Sequence, residues 1–150
     1  MKSKVTLVFL AAIFLCTTPA RPANDIISLV EKHKGDVVLV DFWASWCAPC
    51  LKSFPWMNAL TRDLGTSGLT VIAINVDSDT DAARQFLEDH PALFSVVFDS
   101  TGEFAKQLMV ETMPSSFLFS RTGELVHKQP GFQTKHSRLY RSLIEIELKR

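Results

Sequence analysis

The sequence has few cysteines, little glycine or proline, and no excess of charge of either sign. It holds 3 Cys, 6 Gly and 7 Pro in 150 residues, and 16 basic side chains balance 16 acidic ones. So few cysteines exclude a scaffold held by many disulfides, and the glycine and proline content excludes a collagen-like or low-complexity chain. A neutral balance supplies no basic surface for nucleic acid, so we expect no nucleic acid among its partners.

Apolar side chains, by contrast, are abundant. They make up 47% of the chain and include 11 Phe and 3 Trp, which is too much apolar bulk for a disordered protein. The length suits one compact domain and leaves no room for two ordinary ones. We therefore expect a single globular domain, most simply a monomer, whose chemistry depends on a few residues.

The first 20 residues have the layout of a secretory signal. Lys2 and Lys4 precede an uncharged apolar run over 5–16, and small residues follow up to Ala20. The run is shorter than the about 20 residues that a membrane span needs, so we expect cleavage after Ala20. An uncleaved N-terminal anchor remains an alternative.

A lipid-modified Cys16 is a further alternative for this segment, but Leu15 stands where bacterial lipoprotein signals carry a small residue. Export would place the domain, predicted over 24–150, in the bacterial periplasm or another extracytoplasmic space. It would also leave Cys47 and Cys50 as the cysteines of the mature chain.

Strand and helix patterns alternate after residue 24, which predicts an α/β fold: a mixed central sheet with helices on both faces. The runs VVLVDFWA and LTVIAINV are rich in β-branched side chains and show no polar alternation, as in buried central strands. Strands are expected at 37–44, 69–76, 95–98, 115–120 and 125–129. Helices are expected from the cap at 24–25 up to Gly35, and at 47–64, 80–89, 102–109 and 134–148.

The segment Trp46-Cys47-Ala48-Pro49-Cys50 lies between the first strand and the following helix. Cysteines three residues apart at a helix start share one face and can close a small disulfide. Because the amino end of a helix stabilises a thiolate, we expect Cys47 to be an exposed nucleophile of low pKa. Cys50, one turn deeper, is expected to be the resolving thiol.

Two other roles for this cysteine pair stay open. A zinc site would need further ligands, but the chain has no second cysteine pair and its histidines are scattered. A purely structural disulfide would stabilise little, because the loop that it closes is so short. We therefore favour redox chemistry, with no metal and no organic cofactor.

Asp41 stands inside the apolar run VVLVDFWA, six residues before Cys47. Burial disfavours a charged carboxylate, so the pKa of Asp41 is expected to be raised. A carboxyl of this kind near two thiols is suited to relay protons to the deeper sulfur. The alternative is a buried aspartate satisfied by backbone donors.

Met113-Pro114 precedes the strand expected at 115–120. A proline there fits an edge position or a cis peptide bond, and only about 5–6% of X–Pro bonds are cis, so the sequence alone favours trans. Trp46 adjoins the nucleophile and is expected to be partly exposed.

Together these residues resemble the thioredoxin superfamily. The segments that carry the resemblance are DFWASWCAPC at 41–50, Pro55, and TMPSSFL at 112–118. Phe-Pro at 54–55, INVD at 74–77 and the expected export are most similar to its TlpA/ResA-like branch. The resemblance extends over essentially the whole chain after about residue 25. It implies a thioredoxin fold and a cis Pro114 beside the disulfide. It also implies a substrate chain that pairs with the backbone around Met113, in a groove with Thr112 and Trp46.

Four positions depart from the patterns of that superfamily. Ala48 stands where thioredoxins have Gly, and Ala73 where they have Lys on the second strand. Ser53 replaces a Glu, and Asp41 an Asn, that are common in ResA-like proteins. These departures favour Asp41 as the proton-handling acid. They also weaken the assignment to a cytochrome c maturation subgroup, and envelope thiol homeostasis is the other role that the resemblance implies.

The function expected from these observations is reduction of disulfides in protein substrates outside the cytoplasm. The resemblance implies a membrane-embedded thiol protein as electron donor. The alternatives are a periplasmic thiol oxidase and a thiol peroxidase on the same fold. An oxidase of the DsbA kind usually has a helical insertion and a His before the second cysteine, where this chain has Pro49. Peroxiredoxins place a Thr three residues before their cysteine, where this chain has Ala44.

Overall fold

The computed structural model describes residues 25–150. The predicted signal over 1–20 and the cap residue Asn24 lie outside the described residues. Within the part that is described, no helix is both long enough and apolar enough to cross a lipid bilayer.

Within residues 25–150 the fold has five strands and five α-helices, with one short 3₁₀ turn at Gly65–Ser67. The strands are β1 Val37–Trp43, β2 Leu69–Asn75, β3 Ser95–Phe98, β4 Ser115–Phe119 and β5 Leu125–Pro130. The helices are α1 Ile26–Glu31, α2 Cys50–Leu64, α3 Thr80–Asp89, α4 Glu103–Gln107 and α5 Thr134–Leu148.

The strands form one mixed sheet in the order β3-β2-β1-β4-β5. β1 pairs in parallel with β2 and antiparallel with β4, while β2–β3 is parallel and β4–β5 antiparallel. The central position of β1 explains why its sequence is apolar on both faces: all seven of its residues are buried. The mixed sheet predicted from the sequence is confirmed.

Alternate residues of β1 enter two separate cores, one on each side of the sheet. Leu39 and Trp43 pack in the core that α2, α3 and α5 cover, whereas Val40 and Phe42 pack in the core under α1 and α4. Helices therefore cover both faces, as predicted. Asp41 has the same parity as Leu39 and Trp43, so its side chain lies on the face covered by α2 and α5.

Several element boundaries differ from the prediction by one to three residues. α2 begins at Cys50 rather than at 47, because residues 47–49 form a turn in which the Cys50 amide donates to the Cys47 carbonyl. β1 ends at Trp43, because the Ser45 amide beyond it donates to the Asp77 side chain rather than to a strand. Local interactions of this kind have no periodic signal in the sequence.

The topology brings two loops together at one end of the sheet. β1 and β4 are antiparallel, with Phe42 opposite Ser115, so the chain leaves β1 where it enters β4. The loop 44–49 after β1 and the loop 110–114 before β4 therefore lie side by side. These two loops hold most of the residues that the sequence singles out.

Candidate active site

A disulfide joins Cys47 and Cys50, whose Cα atoms are 5.3 Å apart. Cys50 is the first residue of α2 and is fully buried, and Cys47 lies in the turn before it with 3% of its surface exposed. The sequence predicted an exposed Cys47, and for the disulfide form that prediction is wrong. Its sulfur is bonded to a buried partner, which draws the side chain inward.

The amino end of α2 is electrostatically suited to a thiolate. Pro49 occupies the N-cap, makes no side-chain capping hydrogen bond, and the first turn holds no acidic residue. The partial positive charge of the helix dipole is therefore not offset by a carboxylate in the first turn. Reduction of the disulfide would place the new thiolate in that field, which lowers the pKa of a cysteine.

The turn before the cysteines is held by Asp77, at the end of the INVD segment. One carboxylate oxygen of Asp77 accepts from the Ser45 amide at 2.8 Å, and the other accepts from the Ser45 hydroxyl at 3.0 Å. The Asn75 side-chain amide donates to Asp77 at 2.6 Å, and Asn75 is itself fully buried. This buried network fixes the backbone that presents Trp46 and Cys47.

A groove of about 440 Å³ lies between the two loops. Residues 46–49 form one wall and residues 110–113 form the other. Trp46 is 70% exposed, Thr112 is exposed and Met113 is half-buried. The exposure predicted for Trp46 is confirmed. Cys47 also lines the groove, so its small exposed surface faces the position of a bound chain.

The Met113–Pro114 peptide bond is cis. The resemblance to thioredoxins implied this isomer, whereas base frequencies alone favoured trans. Pro114 is buried, and its carbonyl accepts from the Gly131 amide at 2.7 Å. The Ser115 hydroxyl donates to the Thr112 carbonyl at 2.8 Å and fixes the turn on the groove side.

Asp41 is 1% exposed, on the face of the sheet that α2, α3 and α5 cover. Burial raises its pKa from 3.8 to about 7, although a hydrogen bond from the Ser116 hydroxyl lowers it in part. Ser116 Oγ lies 2.5 Å from Asp41 Oδ1, and Asp41 Oδ2 has no partner in the described part of the chain. This burial agrees with the raised pKa predicted for Asp41, but the hydrogen-bond partner is a side chain rather than the backbone.

The neighbours of Asp41 were not identified from the sequence. Ala73 on β2 and Ser116 on β4 stand in register with it, so no basic side chain faces it from either adjacent strand. Ser53, at the ResA-type glutamate position, is buried and donates its hydroxyl to the Cys50 carbonyl at 3.1 Å. Only the strand register brings Ser116 to Asp41, and no short motif contains both residues.

Redox exchange is the chemistry that this arrangement supports. A disulfide joins two cysteines at a helix amino end, next to a groove. Asp41, whose pKa burial raises to about 7, lies on the same side of the sheet as that helix. Across residues 25–150, no three His, Cys, Asp or Glu side chains are gathered closely enough to ligate a metal ion. Within that range, Cys47 and Cys50 therefore have no neighbouring group that would complete a zinc site.

The sequence is similar to those of known thiol-disulfide oxidoreductases. The Redoxin family model matches residues 23–143. The thiol-disulfide oxidoreductase ResA of Bacillus thuringiensis subsp. konkukian is 35% identical over 106 residues, or 71% of this chain and 61% of that protein. Sporulation thiol-disulfide oxidoreductase A of Bacillus subtilis is 27% identical over 125 residues, covering 77% of this chain and 76% of that protein.

A solved structure from Chlorobium tepidum, provisionally named thiol:disulfide interchange protein DsbE, is also similar. It is 39% identical with a TM-score of 0.78, over 79% of this chain and 84% of that one. This chain spans only 61% of the length of the ResA relative. The thioredoxin fold and the resemblance to ResA-like proteins are confirmed. Because the matching family model covers most of its length, the chain belongs to the Redoxin family.

Proposed function

We propose that this protein is a thiol-disulfide oxidoreductase that reduces disulfides of protein substrates outside the cytoplasm. The observation that carries the proposal is the Cys47–Cys50 disulfide at the start of α2, which borders an open groove. The buried carboxyl of Asp41, whose pKa is raised, lies on the face of the sheet that α2 covers. The names of the ResA and DsbE relatives support the same reaction class.

The reaction begins with the reduced protein. The Cys47 thiolate attacks one sulfur of a substrate disulfide, the other substrate sulfur leaves as a thiolate, and a mixed disulfide forms. Asp41 then accepts the proton of the Cys50 thiol. The Cys50 thiolate attacks the Cys47 sulfur and displaces the second substrate thiolate. The substrate has gained two electrons, and the protein is left with its Cys47–Cys50 disulfide.

The substrate is proposed to bind along the groove with its backbone against Met113 and Thr112. Trp46 offers a large exposed apolar face at one wall of the groove, next to the attacking sulfur. The cis Pro114 shapes the opposite wall by directing the Thr112–Met113 segment toward the cysteines. No cofactor takes part, because sulfur alone transfers the two electrons.

Repeated turnover requires a second thiol protein that returns two electrons to the disulfide, and we propose a membrane-embedded donor. Export is proposed from the apolar run over 5–16 behind Lys2 and Lys4, with the bacterial periplasm as destination. Expression in a bacterial host tests this point. Mass spectrometry of the periplasmic fraction should find a chain that begins at Arg21, whereas an intact N-terminus would contradict cleavage.

The exchange mechanism is tested in a Cys16→Ser background, so that Cys16 contributes no third thiol. Cys50→Ser, incubated with a disulfide-linked peptide, should accumulate a covalent adduct on Cys47 that intact mass spectrometry detects. Cys47→Ser is the matched variant and should form no adduct under the same conditions. Equal adduct formation by the two variants would contradict the assignment of the nucleophile.

The direction of electron flow is tested by the reduction potential, followed by tryptophan fluorescence in graded thiol buffers. A midpoint near or below about −230 mV fits a reductase, and one near about −120 mV fits the alternative of a thiol oxidase. The absence of any two-electron transition would overturn the redox assignment. Peroxide consumption that depends on Cys47 would instead favour the peroxidase alternative.

A further inference from the structure

In the disulfide form, the substrate groove has a single formally charged side chain among the described residues that line it. Its two walls are residues 46–49 and 110–113, and Glu111 is the charged member of that set. The other residues of the Glu111 wall are Val110, Thr112 and Met113, none of which is charged. A chain that lies in the groove therefore meets one carboxylate among neutral groups.

The backbone on both sides of Glu111 is anchored. The Val110 amide donates to the Ala105 carbonyl at 2.9 Å, and the Thr112 carbonyl accepts from the Ser115 hydroxyl at 2.8 Å. These two bonds tie the loop to α4 on one side and to β4 on the other. Glu111 therefore has a fixed place along the groove, while its side chain is exposed.

The Glu111 carboxylate has no ion-pair partner in the part of the chain that the structure describes. Lys128 of β5 donates to the Met109 carbonyl at 3.1 Å, and its ammonium lies 5.3 Å from the centroid of the Phe117 ring. Lys52, in the first turn of α2, is exposed but does not line the groove. The carboxylate is thus available to a cation on a bound chain.

We propose that Glu111 is a specificity residue that favours protein disulfides with a lysine or arginine close to the reacting cysteine. This inference rests on the proposed function, in which a substrate chain lies along the groove in a mixed disulfide with Cys47. A cationic substrate side chain would pair with the carboxylate, whereas an aspartate or glutamate would be repelled by it. The substrate class is therefore a basic segment around an exposed disulfide.

The length of the loop indicates where the basic residue should stand. Glu111 precedes Met113 by two residues, which separates them by at most about 7 Å along the backbone. An extended substrate chain spans that distance with about two residues. The basic residue is thus expected within about two positions of the substrate cysteine. Either chain direction along the groove satisfies this spacing, so both sides of the cysteine are tested.

The test measures the second-order rate constant for attack by the reduced protein on disulfide-linked peptides, in the Cys16→Ser background. The peptides are identical except for a Lys, Gln or Glu placed two residues before or two residues after the cysteine. Each rate constant is divided by that of the same peptide with dithiothreitol, which removes the effect of the neighbouring charge on the substrate disulfide itself. At the better position, the Lys peptide should react about threefold faster than the Glu peptide at about 0.1 M salt.

The same ratio of Lys to Glu peptide is then measured in two variants of Glu111. Glu111→Gln removes the charge and should bring the ratio to about one, and Glu111→Lys should invert it. A change in the reactivity of Cys47 affects both peptides alike, so it does not alter the ratio. For the wild type, the ratio should also approach one at about 1 M salt, because screening weakens an exposed pair. An unchanged ratio in Glu111→Gln would overturn the inference, as would a wild type that prefers the Glu peptide.

Glu124→Gln is the matched control, because it removes the same net charge from another exposed position. Glu124 lies in the turn after β4, whereas Glu111 lies in the loop before that strand. The 5 residues of β4 separate the two carboxylates by about 17 Å, beyond the screening length of about 10 Å at 0.1 M salt. Glu124→Gln should keep the wild-type ratio. An equal loss in this variant would mean that overall charge sets the preference, and it would overturn the inference.

Failure of the proposed function is distinguishable from failure of this inference. If the wild type exchanges with none of the peptides, the proposed function is wrong. The same peptides with Ser in place of Cys still test the charge preference, through the amide NMR signals of residues 110–113. Tighter binding of the Lys peptide that Glu111→Gln abolishes would support the inference, and equal binding of the Lys and Glu peptides would overturn it.

Discussion

Replacement of Asp41 by Asn should change how the stability of the folded protein depends on pH. Burial raises the pKa of Asp41 from 3.8 to about 7. Between these two values the unfolded chain has released the Asp41 proton and the folded chain still holds it. The free energy of unfolding therefore falls as pH rises through that range. Above a pH of about 7 it falls no further on account of Asp41, because the carboxyl is then charged in both the folded and the unfolded chain. The asparagine variant has no such proton to lose.

The magnitude follows from the size of the shift. A difference of about three pH units, at about 1.4 kcal/mol per unit, corresponds to about 4 kcal/mol between acid and alkaline pH. The Asn amide brings a fixed cost of about 1–3 kcal/mol where its N–H groups find no acceptor. That cost does not depend on pH. It cancels when the stability difference between variant and wild type is compared at two pH values.

Urea unfolding of the oxidised proteins, followed by tryptophan fluorescence at about pH 4 and about pH 8, measures this change. The free energy of unfolding of Asp41→Asn minus that of wild type should be about 4 kcal/mol larger at the higher pH. Asp41→Leu, with a different fixed cost, should show the same pH-dependent part. Parallel curves for wild type and both variants would refute the raised pKa and, with it, the role of Asp41 as a base near neutrality.

Two further predictions concern the scaffold around the site. The Phe54 ring packs edge-on against those of Trp43, Phe86 and Phe94, with ring centroids 4.9, 5.0 and 5.3 Å apart. Phe54→Ala should therefore lower the free energy of unfolding by about 3–5 kcal/mol in urea unfolding, whereas a loss below about 1 kcal/mol would mean that this aromatic cluster repacks. The Arg121 guanidinium donates to three carbonyls in separate segments of the chain, those of Gly35, Ser67 and Leu148. Thermal unfolding of Arg121→Lys should therefore show a loss of about 1–2 kcal/mol in the free energy of unfolding, and an unchanged transition would contradict a tie between these segments.

The parts of the site that could be predicted are those with a local signal. Cys47 and Cys50 stand in a short motif before a helix, and Asp41 is a carboxyl in an apolar strand, so each is conspicuous in the sequence alone. The central strands were also predictable from the sequence, because burial on both faces leaves an apolar-rich run without polar alternation.

The parts that could not be predicted depend on register and on local side-chain bonds. Ser116 reaches Asp41 across 75 positions of sequence, and a slip of one residue in β4 would turn its hydroxyl to the opposite face. Asp77 ends β1 early by capturing the Ser45 amide. The exposure of Cys47 was predicted wrongly because the accessibility of a sulfur depends on its bonded state, which the sequence does not specify.

The neighbours of Asp41 on the two adjacent strands determine which group can stabilise its charged form. A lysine on the second strand would place a cation beside the buried acid, but here Ala73 stands opposite Asp41 and supplies no charge. Without that cation, the described neighbour that stabilises the Asp41 anion is the Ser116 hydroxyl, on the other adjacent strand. The group that stabilises the Asp41 anion therefore lies on the β4 side of the acid and not on the β2 side. Ala73→Lys should consequently lower the pKa of Asp41 and make it less sensitive to the loss of Ser116. If Ser116→Ala shifts the Asp41 titration by as much in the Ala73→Lys background as in the wild-type protein, this account is contradicted.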